Sequence, residues 1–176
     1  MAGSLDLIRE LREATSCGVI DCKKALQEAG NDINKAKELL KQRGLELAIK
    51  KGGRLAKEGR VEVYIHPGNK IVAMVEVNCE TDFVARNEDF IQFSKDVAMQ
   101  IGAMSPEYIN QEDIPEDFLK GVEEPKAFIK EKCLMNQPFI KDTKKTIQDY
   151  LNEIIAKIGE NMFVGRFTRY KVGASE

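Results

Sequence analysis

The hydrophobic period of the chain changes near Arg60, and that change constrains the fold more than any other feature of its 176 residues. Before it, apolar residues recur at helical spacing. After it, Val61, Val63 and Ile65 alternate with Glu62, Tyr64 and His66, the period of a strand. Pro67-Gly68-Asn69-Lys70 supplies a turn, and Ile71, Ala73, Val75, Val77 and Cys79 line one face of a second strand, so a β-hairpin is expected here.

Upstream, Leu5, Ile8 and Leu11 form the stripe of a first helix that ends near Thr15-Ser16-Cys17-Gly18. Asp21 is read as the N-cap of a second helix carrying Ala25, Leu26 and Ala29, closed by Gly30. Asp32 caps a third, whose Ile33, Ala36, Leu39 and Leu40 precede Gly44. A bundle this small buries little apolar area, which suits recognition better than catalysis. Lys50, Lys51, Arg54 and Lys57 around Gly52-Gly53 then read as a basic linker. The expected organisation is a three-helix domain over 1–45, a basic linker over 46–60 and a core over 61–176.

Downstream of the hairpin, Asn87 is placed to cap a helix bearing Phe90, Phe93, Val97 and Ile101 and ending at Gly102. Residues 105–138 hold four of the five prolines, with Ser105-Pro106 and Pro115 read as helix starts. Thr146, Ile147, Tyr150, Leu151, Ile154, Ile155 and Ile158 define a strongly amphipathic helix stopped by Gly159. A last strand follows, with Met162, Val164, Arg166, Thr168 and Tyr170 on one face and Phe163, Gly165, Phe167, Arg169 and Lys171 on the other.

The net charge of −2 conceals segments of opposite sign: 13 basic and 9 acidic groups over 1–60, 4 and 14 over 61–124, and 10 and 6 over 125–176. No global basicity points to direct contact with nucleic acid. The four cysteines, Cys17, Cys22, Cys79 and Cys133, lack CxxC spacing and read as free thiols. No apolar run is long enough to span a membrane, and Asp6, Arg9 and Glu10 interrupt any signal-peptide core. A reducing compartment is expected, the bacterial cytoplasm or an organellar matrix. The phosphate-cradling patterns GxxxxGK[ST] and GxGxxG are absent, as are GxSxG and HExxH. The one histidine, His66, precedes a turn proline, and a zinc site would have to gather Cys17, Cys22, His66, Cys79 and Cys133 without paired spacing. No cofactor, metal site or catalytic constellation is expected, and the chain is read as acting by binding.

One segment stands apart. Glu80-Thr81-Asp82-Phe83-Val84-Ala85-Arg86 joins a strand end to an acidic helix start. Either Thr81 or Asp82 caps a turn and Phe83 enters the core, or Phe83 projects as an apolar anchor beside an acid that accepts hydrogen bonds. With Leu11-Arg12-Glu13-x-Thr15, Asp21-Cys22-Lys23-Lys24-Ala25-Leu26, Glu76-Val77-Asn78-Cys79 directly upstream of it, and Gln137-Pro138-Phe139, it makes an ordered set in which the chain resembles the elongation factor Ts family from end to end.

The resemblance implies an α+β fold: an N-terminal three-helix domain like the ubiquitin-associated domain, then a small antiparallel sheet packed with helices. It implies guanine nucleotide exchange on elongation factor Tu. It assigns Asp82 and Phe83 to insertion near that partner's Mg²⁺ and phosphate site, Thr81 and Val84 to shaping the loop, Val19 and Ile20 to holding the GTPase domain, and Gln137, Pro138 and Phe139 to a further partner domain. Family members usually carry Gly-Ala-Gly and two methionines after the threonine, where this chain has Ser16-Cys17-Gly18-Val19-Ile20. Long members have two similar core subdomains, and this chain has room for one. A homodimer is therefore expected, forming a heterotetramer with two copies of elongation factor Tu and touching neither nucleic acid nor membrane. The rival readings are an RNA-associated or ubiquitin-fold-binding adaptor using the N-terminal helices and linker, and a thiol enzyme using Cys22 or Cys79.

Overall fold

Three helices open the chain: α1 (Ser4–Thr15), α2 (Val19–Glu28) and α3 (Ile33–Lys51). The computed structural model describes residues 4–15 and 17–174, so Ser16 lies outside the described residues. The chain divides into two units, one running to Arg54 and including Asn152–Asn161, the other comprising Leu55–Leu151 and the chain from Met162.

In the first unit, Leu11, Cys22, Ala25, Leu26, Ala36 and Leu40 form a buried cluster, flanked by Leu7, Ile8 and Ile33. Leu5 is exposed, so the buried stripe of α1 runs through Leu7, Ile8 and Leu11. Gly30 and Asn31 take positive φ between α2 and α3, and the Asp32 carboxylate accepts from the Asn34 and Lys35 amides, as its capping role requires. Gly44 does not end α3. A Cβ there would lie 3.2 Å from that of Ala156, so the glycine permits close packing within the unit while the helix continues through the basic stretch to Lys51.

The second unit is built on an antiparallel sheet of order β1-β2-β5, from β1 (Glu58–Ile65), β2 (Ile71–Cys79) and β5 (Met162–Lys171). At the hairpin the Asn69 amide donates to the His66 carbonyl with Gly68 at φ 93°, the geometry of a turn with glycine in its third place. Helix α5 (Glu88–Met104) lays Phe90, Phe93, Val97 and Ile101 into a core shared with Ala73, Val75, Val77 and Cys79 of β2. Its Asn87 cap is as expected, and it ends at Ser105, in the left-handed region, rather than at Gly102. Gly102 instead packs on β1, where a Cβ would come 2.7 Å from the Tyr64 ring.

The hairpin register decides which face of β1 is buried. Arg60, Glu62 and Tyr64 pair with Val77, Val75 and Ala73 and share their inward face, leaving Val61, Val63 and Ile65 exposed. Strand β5 changes face midway. Arg166 pairs with Glu76 and Val164 with Val77, so Gly165 is an extra residue, a bulge whose Cβ would meet the Asn78 Oδ1 at 2.5 Å. Met162 and Val164 point inward before the bulge. Beyond it Phe167 and Arg169 do so, while Arg166 and Tyr170 turn out, contrary to uniform alternation.

The remaining elements are α4 (Asp82–Ala85), α6 (Glu116–Lys120), α7 (Pro125–Lys132), the short pair β3 (Pro138–Phe139) and β4 (Asp142–Thr146), and α8 (Ile147–Ile158). Pro115 caps α6 as expected, whereas Pro106 follows the end of α5 and starts no helix. The architecture is α+β with a small antiparallel sheet.

Candidate protein-binding site

Residues Cys79 to Asn87 turn the end of β2 into a short, well-tethered tip. The Cys79 thiol donates to the Thr81 carbonyl at 3.2 Å, and the Thr81 hydroxyl accepts from the Val84 amide at 3.4 Å, capping the single turn of α4. Val84 is buried and pins the turn from below. The Asn87 amide donates to the Val84 carbonyl, and the Asn87 side chain caps α5 by accepting from the Asp89 amide at 2.9 Å. The tip is therefore tied at both ends to regular elements.

Phe83 is 81% exposed at the summit of this turn. The core alternative for Phe83 is thereby excluded, while the capping role of Thr81 stands. Asp82 sits beside it with its carboxylate 2.9 Å from the Arg86 guanidinium, four residues on and also exposed. Arg86 carries no role in the sequence reading, although its i, i+4 spacing from Asp82 was visible there. The tip presents an aromatic ring on a hydrogen-bonded backbone turn next to an acid paired with Arg86, which can fill an apolar slot and accept hydrogen bonds from a partner.

Val19 and Ile20 form a second exposed apolar pair, 49% and 69% accessible, on the first turn of α2. The N-cap of this helix is Gly18, extended at φ −61° and ψ 149°, not Asp21. Asp21 instead lies in the first turn, where an acid favours the helix dipole.

Gln137 and Phe139 differ from their expected place at a partner surface. Gln137 is wholly buried and Phe139 nearly so, with Pro138 half-buried. The Gln137 amide donates to the Glu131 carbonyl at 2.6 Å and its oxygen accepts from Gln100 at 3.1 Å; Gln100 in turn accepts from the Ile140 amide at 2.9 Å. Phe139 stacks on Tyr150 at 5.0 Å between ring centres. The segment satisfies interior polar groups and leaves neither side chain available to a partner.

The outward face of the sheet is a further surface that the sequence reading did not identify. Its rows are Ile65–Val72–Tyr170, Val63–Met74–Thr168 and Val61–Glu76–Arg166, with Phe163 exposed on the strand pair beyond. Glu76 accepts from Asn78 at 3.1 Å and from Arg166 at 2.7 Å, and these hydrogen bonds hold its carboxyl below the usual glutamate range. The alternation of Val61, Val63 and Ile65 was the signal, but period alone does not say which face is covered.

His66 lies in the exposed turn, its Nδ1 2.9 Å from the Tyr64 hydroxyl. Among the described residues no group of three or more His, Cys, Asp or Glu side chains is arranged to hold a metal ion, and no helix is long and apolar enough to cross a membrane.

The fold and these surfaces define an α+β protein whose small antiparallel sheet carries a hydrogen-bonded tip that presents an aromatic and an acid. Comparison with known proteins makes it a translation elongation factor: the family model for elongation factor TS matches residues 13–126 and 122–174. An elongation factor Ts from Desulforamulus reducens is 48% identical over 97% of this chain and 89% of its own length. Those of Thermodesulfovibrio yellowstonii and Nitratidesulfovibrio vulgaris are 46% and 45% identical, each over the whole of this chain and over 99% and 100% of their own lengths. The chain belongs to the elongation factor Ts family.

Proposed function

We propose that this protein accelerates release of GDP from elongation factor Tu by binding it in a form whose nucleotide site is distorted. Nucleotide affinity in such a GTPase depends on backbone amides around the phosphates and on Mg²⁺ held by oxygen ligands. A protein that binds better when this arrangement is disturbed weakens nucleotide binding by the same factor, because coupling between two binding events is reciprocal. No covalent chemistry is required of the exchange factor.

The observation that carries this reading is the exposure of Phe83 on a backbone turn fixed by Thr81, Val84 and Asn87. An apolar ring of this size, presented without loss of its own support, makes a wedge whose burial is available only in the complex. Asp82 is oriented by Arg86 to accept hydrogen bonds or repel the phosphate-side acids that coordinate the metal. Val19 and Ile20 hold the GTPase domain through a separate apolar contact.

The reading extends to a homodimer, with two copies of elongation factor Tu bound per dimer. Its support is the apolar outer sheet face, on which the one acid and one base, Glu76 and Arg166, pair with each other and so leave no unpaired charge to bury. Release of fluorescent GDP from elongation factor Tu, followed by stopped flow with and without this protein, tests the exchange function. No acceleration by the intact chain refutes it.

A further inference from the structure

Numbered from the Gly18 N-cap of α2, Cys17 is the residue just outside the helix and Cys22 is its fourth residue. These are the two positions at which side chains ordinarily meet as an apolar staple that sets how the chain enters a helix. Here both are thiols. The Cys22 thiol donates to the Cys17 carbonyl at 3.8 Å and lies 4.0 Å from the Thr15 hydroxyl. The Cys17 thiol donates to the Thr15 carbonyl at 3.6 Å, and the Cys17 amide to the Thr15 hydroxyl at 3.4 Å. Both sulfurs therefore converge on Thr15, and Gly18, Val19 and Ile20 lie inside the loop that a bond between them would close.

We propose that Cys17 and Cys22 form an oxidative modification site, closed to an intramolecular disulfide by exchange with a low-molecular-weight disulfide of the glutathione class. Cys17 is half-buried and reachable, whereas Cys22 is fully buried. The order of events follows from that difference. The Cys17 thiolate attacks one sulfur of the small disulfide, forming a mixed disulfide and expelling one thiolate. The Cys22 sulfur then attacks the Cys17 sulfur, expelling the second, and the protons of the two protein thiols end on the two small thiols released. Two cysteines are oxidised and one small disulfide is reduced.

Burial pushes the Cys22 thiol up and shields it from a small disulfide, so the more accessible Cys17 reacts first and Cys22 meets only the mixed disulfide formed beside it. Cys79 and Cys133 are fully buried, so they serve as internal controls. A disulfide needs its sulfurs about 2.0 Å apart, so the bond would tie Cys17 to the first turn of α2 and close the segment that carries Gly18, Val19 and Ile20 into a fixed loop. Its effect on exchange rests on the function proposed above; formation of the bond does not.

The test treats the full chain with oxidised glutathione and reads thiol content and peptide mass, then nucleotide exchange. The expected result is loss of two of the four thiols, a mass lower by two hydrogens in a cross-linked Cys17/Cys22 peptide, and reversal by dithiothreitol. C17S should retain three thiols and stay unoxidised. Exchange by the oxidised wild type should fall about fivefold and recover on reduction. A stable glutathione adduct on Cys17, a bond to Cys79 or Cys133, or no reaction overturns the site. If the bond forms with exchange unchanged, the coupling to Val19 and Ile20 is refuted. Absence of exchange by the reduced protein refutes the exchange reading instead.

Discussion

Replacing Phe83 with alanine removes a ring that is 81% exposed in the free protein, so the two readings of this residue predict opposite outcomes. Truncating a core phenylalanine costs about 3–5 kcal/mol of stability, whereas an exposed one costs within about 0.5 kcal/mol. The thermal midpoint and circular dichroism of F83A should therefore match the wild type. In the proposed complex the same ring would pass from water into an apolar slot. Full burial of a phenylalanine side chain stabilises by about 1.5–3 kcal/mol, and the exposed four-fifths of it by about 1.2–2.4 kcal/mol. At 1.4 kcal/mol per decade, GDP release catalysed by F83A should be slower by about seven- to fiftyfold at subsaturating protein. F83L, which keeps much of the apolar volume, should recover part of the loss. The assay is stopped-flow release of labelled GDP from elongation factor Tu, with melting curves recorded on the same preparations. Wild-type exchange by F83A refutes the wedge, and a large loss of stability refutes the structural premise.

Asp82→Ala should slow exchange less than F83A, by about three- to tenfold, because its carboxylate is already engaged by Arg86 in the free protein; unchanged kinetics count against its role. Light scattering should give a mass near twice 19.8 kDa for the wild type. The double substitution V63K/M74K, on the middle row of the outer sheet face, should halve it, and a wild-type monomer removes the dimer from the reading. Gly59→Ala should lower stability by at least about 2 kcal/mol in urea titration, because its Cβ would fall 2.2 Å from the Val77 carbonyl oxygen at φ 150°. Glu76, with its folded pKa held below the ordinary range by Asn78 and Arg166, contributes stability that is present above the unfolded-state value and lost as pH falls through the folded one. Melting between about pH 3 and 6 should show a shallower acid slope for E76Q than for wild type, and parallel curves contradict this.

Local chemistry was legible wherever one residue type answers one backbone demand. Pro67-Gly68 fits its turn, Asp32 and Asn87 accept from amides two residues on, and Gly30 takes positive φ at a helix end. What the sequence left undecided depends on register and on distant partners. Val61, Val63 and Ile65 announce a strand, but pairing with Ala73, Val75 and Val77 places Tyr64 and Glu62 inside. Gly44 looks like a helix stop until Ala156 stands against it. Gln137 and Phe139 look like surface residues until Gln100 and Tyr150, distant in sequence, meet them. At the site itself, the motif located the tip, and only the structure decided between an inward and an outward Phe83.

The bulge at Gly165 gives chain length a meaning that composition cannot carry. Were Gly165 paired as an ordinary strand residue and not bulged, β5 would keep a single phase from Met162 onward. Phe167 and Arg169 would be expelled to the open face, while Arg166 and Tyr170 would be drawn beneath it, with no change in any side chain. A one-residue gap at this point in a related sequence should therefore leave the outer sheet face as it is, whereas a gap at Phe167 with the bulge kept should reverse the faces beyond it and change which copies or partners that surface fits.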